Sequence, residues 1–536
     1  MTETAQATTA PPLATRREWI GLAVLALPTL LLAIDGSVLF LALPTLSADL
    51  DVDATQQLWI LDIYSFLIAG LLVTMGTLGD RIGRRRLLLI GGSAFAAASV
   101  IAAFSVSVEM LIVARALLGI AGATLAPSTM ALIRNMFRDP RQMAIAIGVW
   151  FTCFMGGMLL GPIVGGLLLE HFWWGSTFLL GVPFMVLLVV LGPIFLPEYR
   201  AADPGRIDLV SVALSLAAIL PVVWGLKELA RTGWEGTPVA AIAIGGAMAA
   251  LFVRRQSRLA DPLLDLTLFR NRVFGTSLVL LLVTAVIMSG VSLLLALFLQ
   301  SALGLSPLTA GLWLLPQAVA MIIGFQVPGV LARWFAPPVI VTLGLAIAAV
   351  GFAVLTQAGQ VDGPGLAITG FVIGCFGISL PMTVLTTLML GSVPPDKAGA
   401  ASAVNETSSE FGIALGIASL GSLAAVISRG ELATSLAPYV PVPVPEHAAE
   451  AAGTGITAAV DTAASLPGEA SELLLELARA AFTSGLAITA GFAALVFLAL
   501  ATLAAIMLRE RRAGEASETP DSQTVETRPT TEGELR

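Results

Sequence analysis

The chain has 536 residues, 57% of them hydrophobic and only 12% charged, with a mean hydropathy of +0.91 and a formal net charge of −8. Soluble domains carry roughly twice that share of charge, so an ordinary water-soluble enzyme or a nucleic-acid-binding protein is excluded. Both cysteines, Cys153 and Cys375, fall within apolar stretches, which argues against a disulfide framework.

Apolar runs of about 20 residues, long enough to cross a bilayer, recur along nearly the whole chain. They predict an all-α integral membrane fold of fourteen transmembrane helices, at 20–44, 57–79, 87–104, 109–133, 143–169, 175–196, 207–228, 237–253, 273–302, 307–332, 337–357, 364–391, 400–428 and 479–508. The first run follows Arg16 and Arg17 like a signal peptide. It continues past Pro28 to Pro44 without a small-residue cleavage site, so it reads as a retained helix. With an even number of spans and both termini cytoplasmic, 23 of the 28 Lys and Arg lie inside; Lys227, Arg231, Arg429 and Arg479 lie outside, and Arg115 lies in the membrane. That bias sets the orientation under the positive-inside rule.

The polar stretches 1–18 and 509–536 read as cytoplasmic tails, the latter disordered. Between them the sequence divides into a six-helix half (19–196), two further helices (207–253), a connector with five arginines (254–272) and a second six-helix half (273–508). The second half holds an extracellular loop at 429–478, with a stiff proline run, Pro438–Pro445, and Ala-rich amphipathic pieces near 447–464 and 469–480. Those pieces read equally as a cap on the outer mouth or as a passive tether. Span two ends in Gly76–Arg86, and span ten ends in a decayed copy, Gly329–Arg333. The faint repeat makes spans 1–6 and 9–14 two equivalent halves and spans 7 and 8 an insertion.

Five ionisable residues interrupt the apolar runs: Asp35, Asp62, Arg115, Glu406 and Glu410. A charge near the bilayer centre costs about 2.5–3.5 kcal/mol on insertion scales, so such residues line cavities or pair with one another. Asp35, Asp62 and Arg115 come to similar depth; they read either as a poised proton site or as a static salt bridge fastening helices 1, 2 and 4. Glu406 and Glu410 are one turn apart and share a face. Two carboxylates so close in low dielectric resist ionising together, which suits exchange of a proton for a cation. The competing reading makes Glu406 an ordinary first-turn acid favoured by the helix dipole. Trp59, Tyr64, Phe151, Phe154, Trp313 and Phe325 could offer ring faces to an organic cation, and Gln317 and Gln326 polar lining. Most membrane aromatics are packing residues. His171 and His447 fall outside, away from any proton path.

Two motifs are specific. In Gly76–Arg86, Gly83 permits a tight turn, Asp80 can accept from a neighbouring helix end, and Arg84 can bridge to an acid on an adjacent helix. This run, with Gly76, Asp80, Arg81, Gly83 and Arg84, resembles the loop signature of the major facilitator superfamily, and implies a charge latch that gates the cytoplasmic side. Gly157, Gly161, Pro162, Gly165 and Gly166 resemble the family's antiporter motif, in which small residues admit a neighbouring helix and the proline kinks its own. Asp35–Pro44, Gln57–Tyr64, Asp261–Arg272 and Val404–Gly412 are similar to the fourteen-helix drug:proton antiporter branch, in particular to QacA-type exporters of quaternary ammonium compounds and dyes. The resemblance implies a monomeric, proton-coupled efflux antiporter of the cell membrane. Its partners would be protons, lipophilic cationic drugs or dyes, and membrane lipid, with no nucleic acid, cofactor or metal. The rival reading is an exporter of a neutral or anionic natural product; a membrane sensor or scaffold is a reading of another class. An enzyme is disfavoured, because no metal spacing, nucleophile–base pair or phosphate-cradling loop is present.

Overall fold

The structure, a computed structural model, describes residues 13–52, 54–200, 208–232, 236–259, 262, 264–360, 363–394, 397–436 and 455–507. Most of both tails, the Pro438–Pro445 run and His447 lie outside the described residues. Inside a bilayer every backbone donor and acceptor must be satisfied within the chain, so apolar runs become helices. Fourteen helices are long and apolar enough to cross a membrane, and the described residues hold no strand.

In chain order they are α1 (Arg16–Leu50), α2 (Ala54–Ile82), α3 (Arg84–Ala103), α4 (Val108–Met136), α5 (Pro140–His171), α6 (Ser176–Phe195) and α7 (Leu209–Thr232). They continue as α8 (Gly236–Gln256), α9 (Arg272–Leu297), α10 (Pro307–Leu331), α11 (Pro337–Leu355), α12 (Gly365–Gly391), α13 (Ala398–Leu436) and α14 (Gly468–Met507). Their starts follow capping chemistry: Thr15 and Glu18 form a capping box on α1, Asp139 caps α5 ahead of Pro140, and Asn271 caps α9.

Two helices outrun the expectation. α13 has 39 residues and α14 has 40, about 60 Å each against a hydrocarbon core of about 30 Å. The amphipathic piece near 469–480 is therefore not separate; it is the start of α14, because no proline interrupts the run from Gly468 to Met507. A short helix, Ile456–Ala464, packs against that start.

α1 packs on α5, and α2 and α3 on α4; in the second half α9 packs on α13, α10 on α12, and α11 on α12 and α14. The inserted pair α7–α8 lies outside this body, with α7 against both α2 and α13. Leu216 and Leu220 of α7 cover Gly70 of α2, and Leu226 packs with Ala414 and Ala418 of α13. The halves meet through α5 with α10 and α2 with α13. Arg84–Arg86, Arg134, Arg141, Arg254, Arg255, Arg258 and Lys397 gather at one end of the bundle, called here the basic end.

Candidate functional site

Arg115 of α4 reaches into the first half and is 2% exposed; Asp35 of α1, at 8%, faces it. Arg115 Nη1 donates to Asp35 Oδ2 at 3.1 Å and Nε to the Ile60 carbonyl at 3.2 Å. Its guanidinium carbon stands 4.3 Å from the centroid of the Tyr64 ring. A buried cation is thus held by one carboxylate, one backbone carbonyl and one ring face. α2 supplies the last two because Ile60 and Tyr64 are one turn apart; Asp62, two residues from each, is turned about 200° away on the same helix. The sequence put Asp62 at the depth of Arg115; the Tyr64 ring of the same helix also faces the guanidinium. The Tyr64 hydroxyl is buried with no hydrogen-bond partner among the described residues.

Glu406 and Glu410 sit half-buried one turn apart on α13, close enough to act on each other electrostatically. Beside Glu406, Asn405 Oδ1 and Thr407 Oγ1 are buried without partners in the described residues. Measured along their helices, Glu406 is about 12 Å from the basic end of α13 and Asp35 about 28 Å from that of α1. The carboxylates therefore form a ladder across the membrane.

The basic end is where the halves interlock. Gly148 of α5 lies against the backbone of Phe325 on α10, so that a Cβ there would stand 2.4 Å from the Phe325 carbonyl oxygen. Ile145 covers Gly329, and Gln326 donates to Thr152 Oγ1 at 2.8 Å. Gly76 of α2 abuts Ala403 and Gly399 of α13. Arg134 of α4 donates to the Leu390 carbonyl at 2.9 Å, capping the end of α12. The Gln326 and Arg134 contacts tie one half to the other.

Arg84 occupies the joint itself. It is fully buried, and its Nε donates to Asp80 Oδ1 at 2.8 Å. Its guanidinium lies directly over Gly399, leaving no room for a side chain there. The expectation of an acid on an adjacent helix is met within the motif: Asp80 closes α2 and Arg84 opens α3, with Gly83 at φ +109 between them. The positive φ is what requires glycine here; the Glu198 carboxylate lies against it, 2.5 Å from where a Cβ would stand. Glu198, which the sequence did not single out, pairs with Arg85 at 3.4 Å. Arg81 is buried nearby.

The antiporter-motif glycines divide in role. Gly157 fits α5 onto α1, where a Cβ would lie 2.5 Å from the Leu30 carbonyl oxygen, and Gly165 receives Val38. Gly161 is buried, whereas Gly166 has open space around it. Pro162 lies within α5. Among the aromatics, Phe151 and Phe325 stack on each other across the halves at 4.9 Å, and Trp150 stacks on Phe154 at 6.0 Å. These rings plug the joint. Trp59 and Trp313 are exposed, at 48% and 39%, and Gln317 is half-buried.

Two six-helix halves sharing buried acids, with a close-packed joint at one end, define a polytopic secondary transporter, not an enzyme. The family model of the Major Facilitator Superfamily matches residues 25–417, and the chain belongs to that superfamily. It is 46% identical over 494 residues to the multidrug efflux pump LfrA of Mycolicibacterium smegmatis, covering 92% of this chain and 97% of LfrA. Over 512 residues it is 33% identical to the methyl viologen resistance protein SmvA of Salmonella typhimurium, covering 92% and 100%. The human organic anion transporter MFSD10 shares the fold, with a TM-score of 0.55 at 16% identity over 89% of this chain and 99% of that one.

Proposed function

We propose that the protein is a proton-coupled multidrug efflux antiporter of the cell membrane that expels lipophilic organic cations, such as quaternary ammonium compounds and dyes. The basic end faces the cytoplasm together with both termini, in keeping with the positive-inside rule. The observation that carries the reading is the ladder Asp35, Glu406 and Glu410, spread over both halves, with Arg115 paired to Asp35. Carboxylates gathered inside a membrane-spanning bundle can hold either protons or a cationic cargo. The likeness to a multidrug pump and to a methyl viologen resistance protein supports the cationic class.

In this reading the basic-end joint is the closed gate of an outward-facing state. A proton entering from outside reaches Asp35 first, beside Arg115; cargo entering from the cytoplasm meets Glu406 first. The halves rock about the site to alternate access. Moving one charge against 100 mV takes about 2.3 kcal/mol, so expelling a cation draws on the potential only when more than one proton returns, which several acids allow.

The test is transport in vesicles. Reconstituted protein under an imposed pH gradient should move ethidium-like dyes, and neutral or anionic probes far less. Gradient-driven movement of anionic or neutral probes alone would establish a natural-product exporter and overturn the cationic reading.

A further inference from the structure

The basic end holds more arginine than the joint uses. Where α7 and α8 reach that end, Leu214, Leu251, Leu259, Arg254, Arg255 and Arg258 surround a cavity of about 340 Å³. The turn that carries the arginines is fixed from inside: Gln256, buried, donates to Ser211 Oγ at 2.7 Å and accepts from the Leu264 N–H at 3.2 Å. Arg255 is committed, its Nε 2.6 Å from Asp208 Oδ2. Hydrogen bonds from Arg255 and Ser211 hold the Asp208 carboxyl well below the usual carboxylate range, so it stays ionised and satisfied by that pair. Arg254 and Arg258, one turn apart and exposed, meet no carboxylate among the described residues. Two like charges on one rim, with Asp208 the partner of Arg255, form a site for an anion.

The walls say which anion. Only 17% of the apolar window of α8 is buried, against 61% for α4, so this helix faces lipid. Leu209, Val210, Ile244, Leu251 and Val253 continue the cavity's apolar side along the exposed surface of the pair. A soluble phosphate would leave that surface unused; a phospholipid would cover it. We propose that this cavity binds the headgroup of an anionic phospholipid from the leaflet at the basic end, its acyl chains lying along α7 and α8. Leu214 lines the cavity and also packs in the cluster of Val73, Phe252 and Leu264, so a bound lipid would fasten the inserted pair to α2.

Native mass spectrometry of the full-length protein tests this, with phosphatidylglycerol, phosphatidylcholine of the same chains, and glycerol phosphate as probes. Phosphatidylglycerol should be retained over phosphatidylcholine by a factor on the order of ten. Arg254→Gln with Arg258→Gln should bring that factor to near one, each single change giving an intermediate value. Arg141→Gln with Arg200→Gln, which removes equal charge from the same end, should leave it unchanged. Equal retention of the two lipids, a preference that survives in the first double variant, or equal loss in the second would overturn the proposal. So would displacement of the lipid by glycerol phosphate, which would mark a soluble anion as the occupant. Both arginines are exposed and meet no carboxylate among the described residues, so the variants should melt as the parent does without lipid.

Discussion

Gly148→Ala probes the joint where it is tightest. The added Cβ would stand 2.4 Å from the Phe325 carbonyl oxygen and 3.2 Å from its carbon, where ordinary contact begins near 3.4 Å. Both obstructing atoms are backbone, so no side chain can swing aside; α5 and α10 must part by about 1 Å. Overpacking of this kind costs about 1–3 kcal/mol, which shifts the equilibrium about 5- to 150-fold away from the form closed at the basic end. Electron-spin distance measurements with Val106→Cys and Gln360→Cys labels, after replacement of Cys153 and Cys375 by Ser, read the change. Both labelled positions are exposed, lie in different halves and stand at the end opposite the joint. When the halves rock, that end closes as the basic end opens, so Gly148→Ala should move population to the shorter distance. Gly156→Ala, on the same helix with nothing within 4 Å of its Cβ, should not. A Gly148→Ala distribution identical to the parent, or an equal shift from Gly156→Ala, would refute the role given to this contact.

Gly157→Ala should destabilise the protein by about 1–3 kcal/mol and slow dye efflux, because its Cβ would strike the Leu30 carbonyl and Ala33 of α1. Gly166→Ala should do neither, and thermal melts with equal effects would remove the division of roles within the motif. Asp35→Asn takes the carboxylate from a buried arginine, a loss worth about 3–5 kcal/mol. It should lower the melting temperature as well as abolish pH-driven uptake in inverted vesicles; Glu406→Gln should abolish uptake alone. Uptake surviving both changes would sink the proton role. At the connector, burial pushes the Asp265 carboxyl up, but hydrogen bonds from Lys397 and Thr267 outweigh it and hold it below its ordinary value. The ion pair's stabilisation is therefore full above the unfolded value of about 4 and fades as pH falls through the lower folded one. Lys397→Gln should cost less than about 1 kcal/mol at pH 7, since the pair is partly exposed. The gap in melting temperature should close on acidification, and a gap independent of pH would contradict the assignment.

The fourteen spans were legible because the bilayer imposes length and apolarity on every one of them. Asp35 and Arg115 were legible for a similar reason: a charge in hydrocarbon must find a partner. That the Tyr64 ring also faces Arg115 was not, since that depends on the rotation of α2, to which composition is blind. Arg134 escaped notice because its partner, the Leu390 carbonyl, has no side-chain signature. Phe151 and Phe325 were legible as aromatics that either pack or face cargo; that they stack on each other was not, because they lie on different halves. Residues 174 apart in sequence, Gln326 and Thr152, meet only because the halves close.

A gate must hold and also let go, and the chemistry of this joint limits its strength. Its closest contacts set glycine against backbone or small side chains, as at Gly148 and Phe325 or Gly76 and Ala403. Such contacts give close fit, and the buried Phe151–Phe325 stack is the main apolar area that parting them exposes. The Gln326–Thr152 hydrogen bond adds about 0.5–1.5 kcal/mol net. Against this stands Arg84, fully buried at the joint, whose Nη1 finds no partner among the described residues. An unsatisfied buried donor costs about 1–3 kcal/mol, more when charged. That penalty offsets the hydrogen bond and is relieved when the joint opens to water. A ligand can move an equilibrium only by its differential affinity for the two states, so a gate near balance is one that a proton or a single cation can tip. Replacing Arg84 and Asp80 together by well-packed apolar residues should accordingly strengthen the closed form and slow dye efflux, even as thermal melts show a protein harder to unfold.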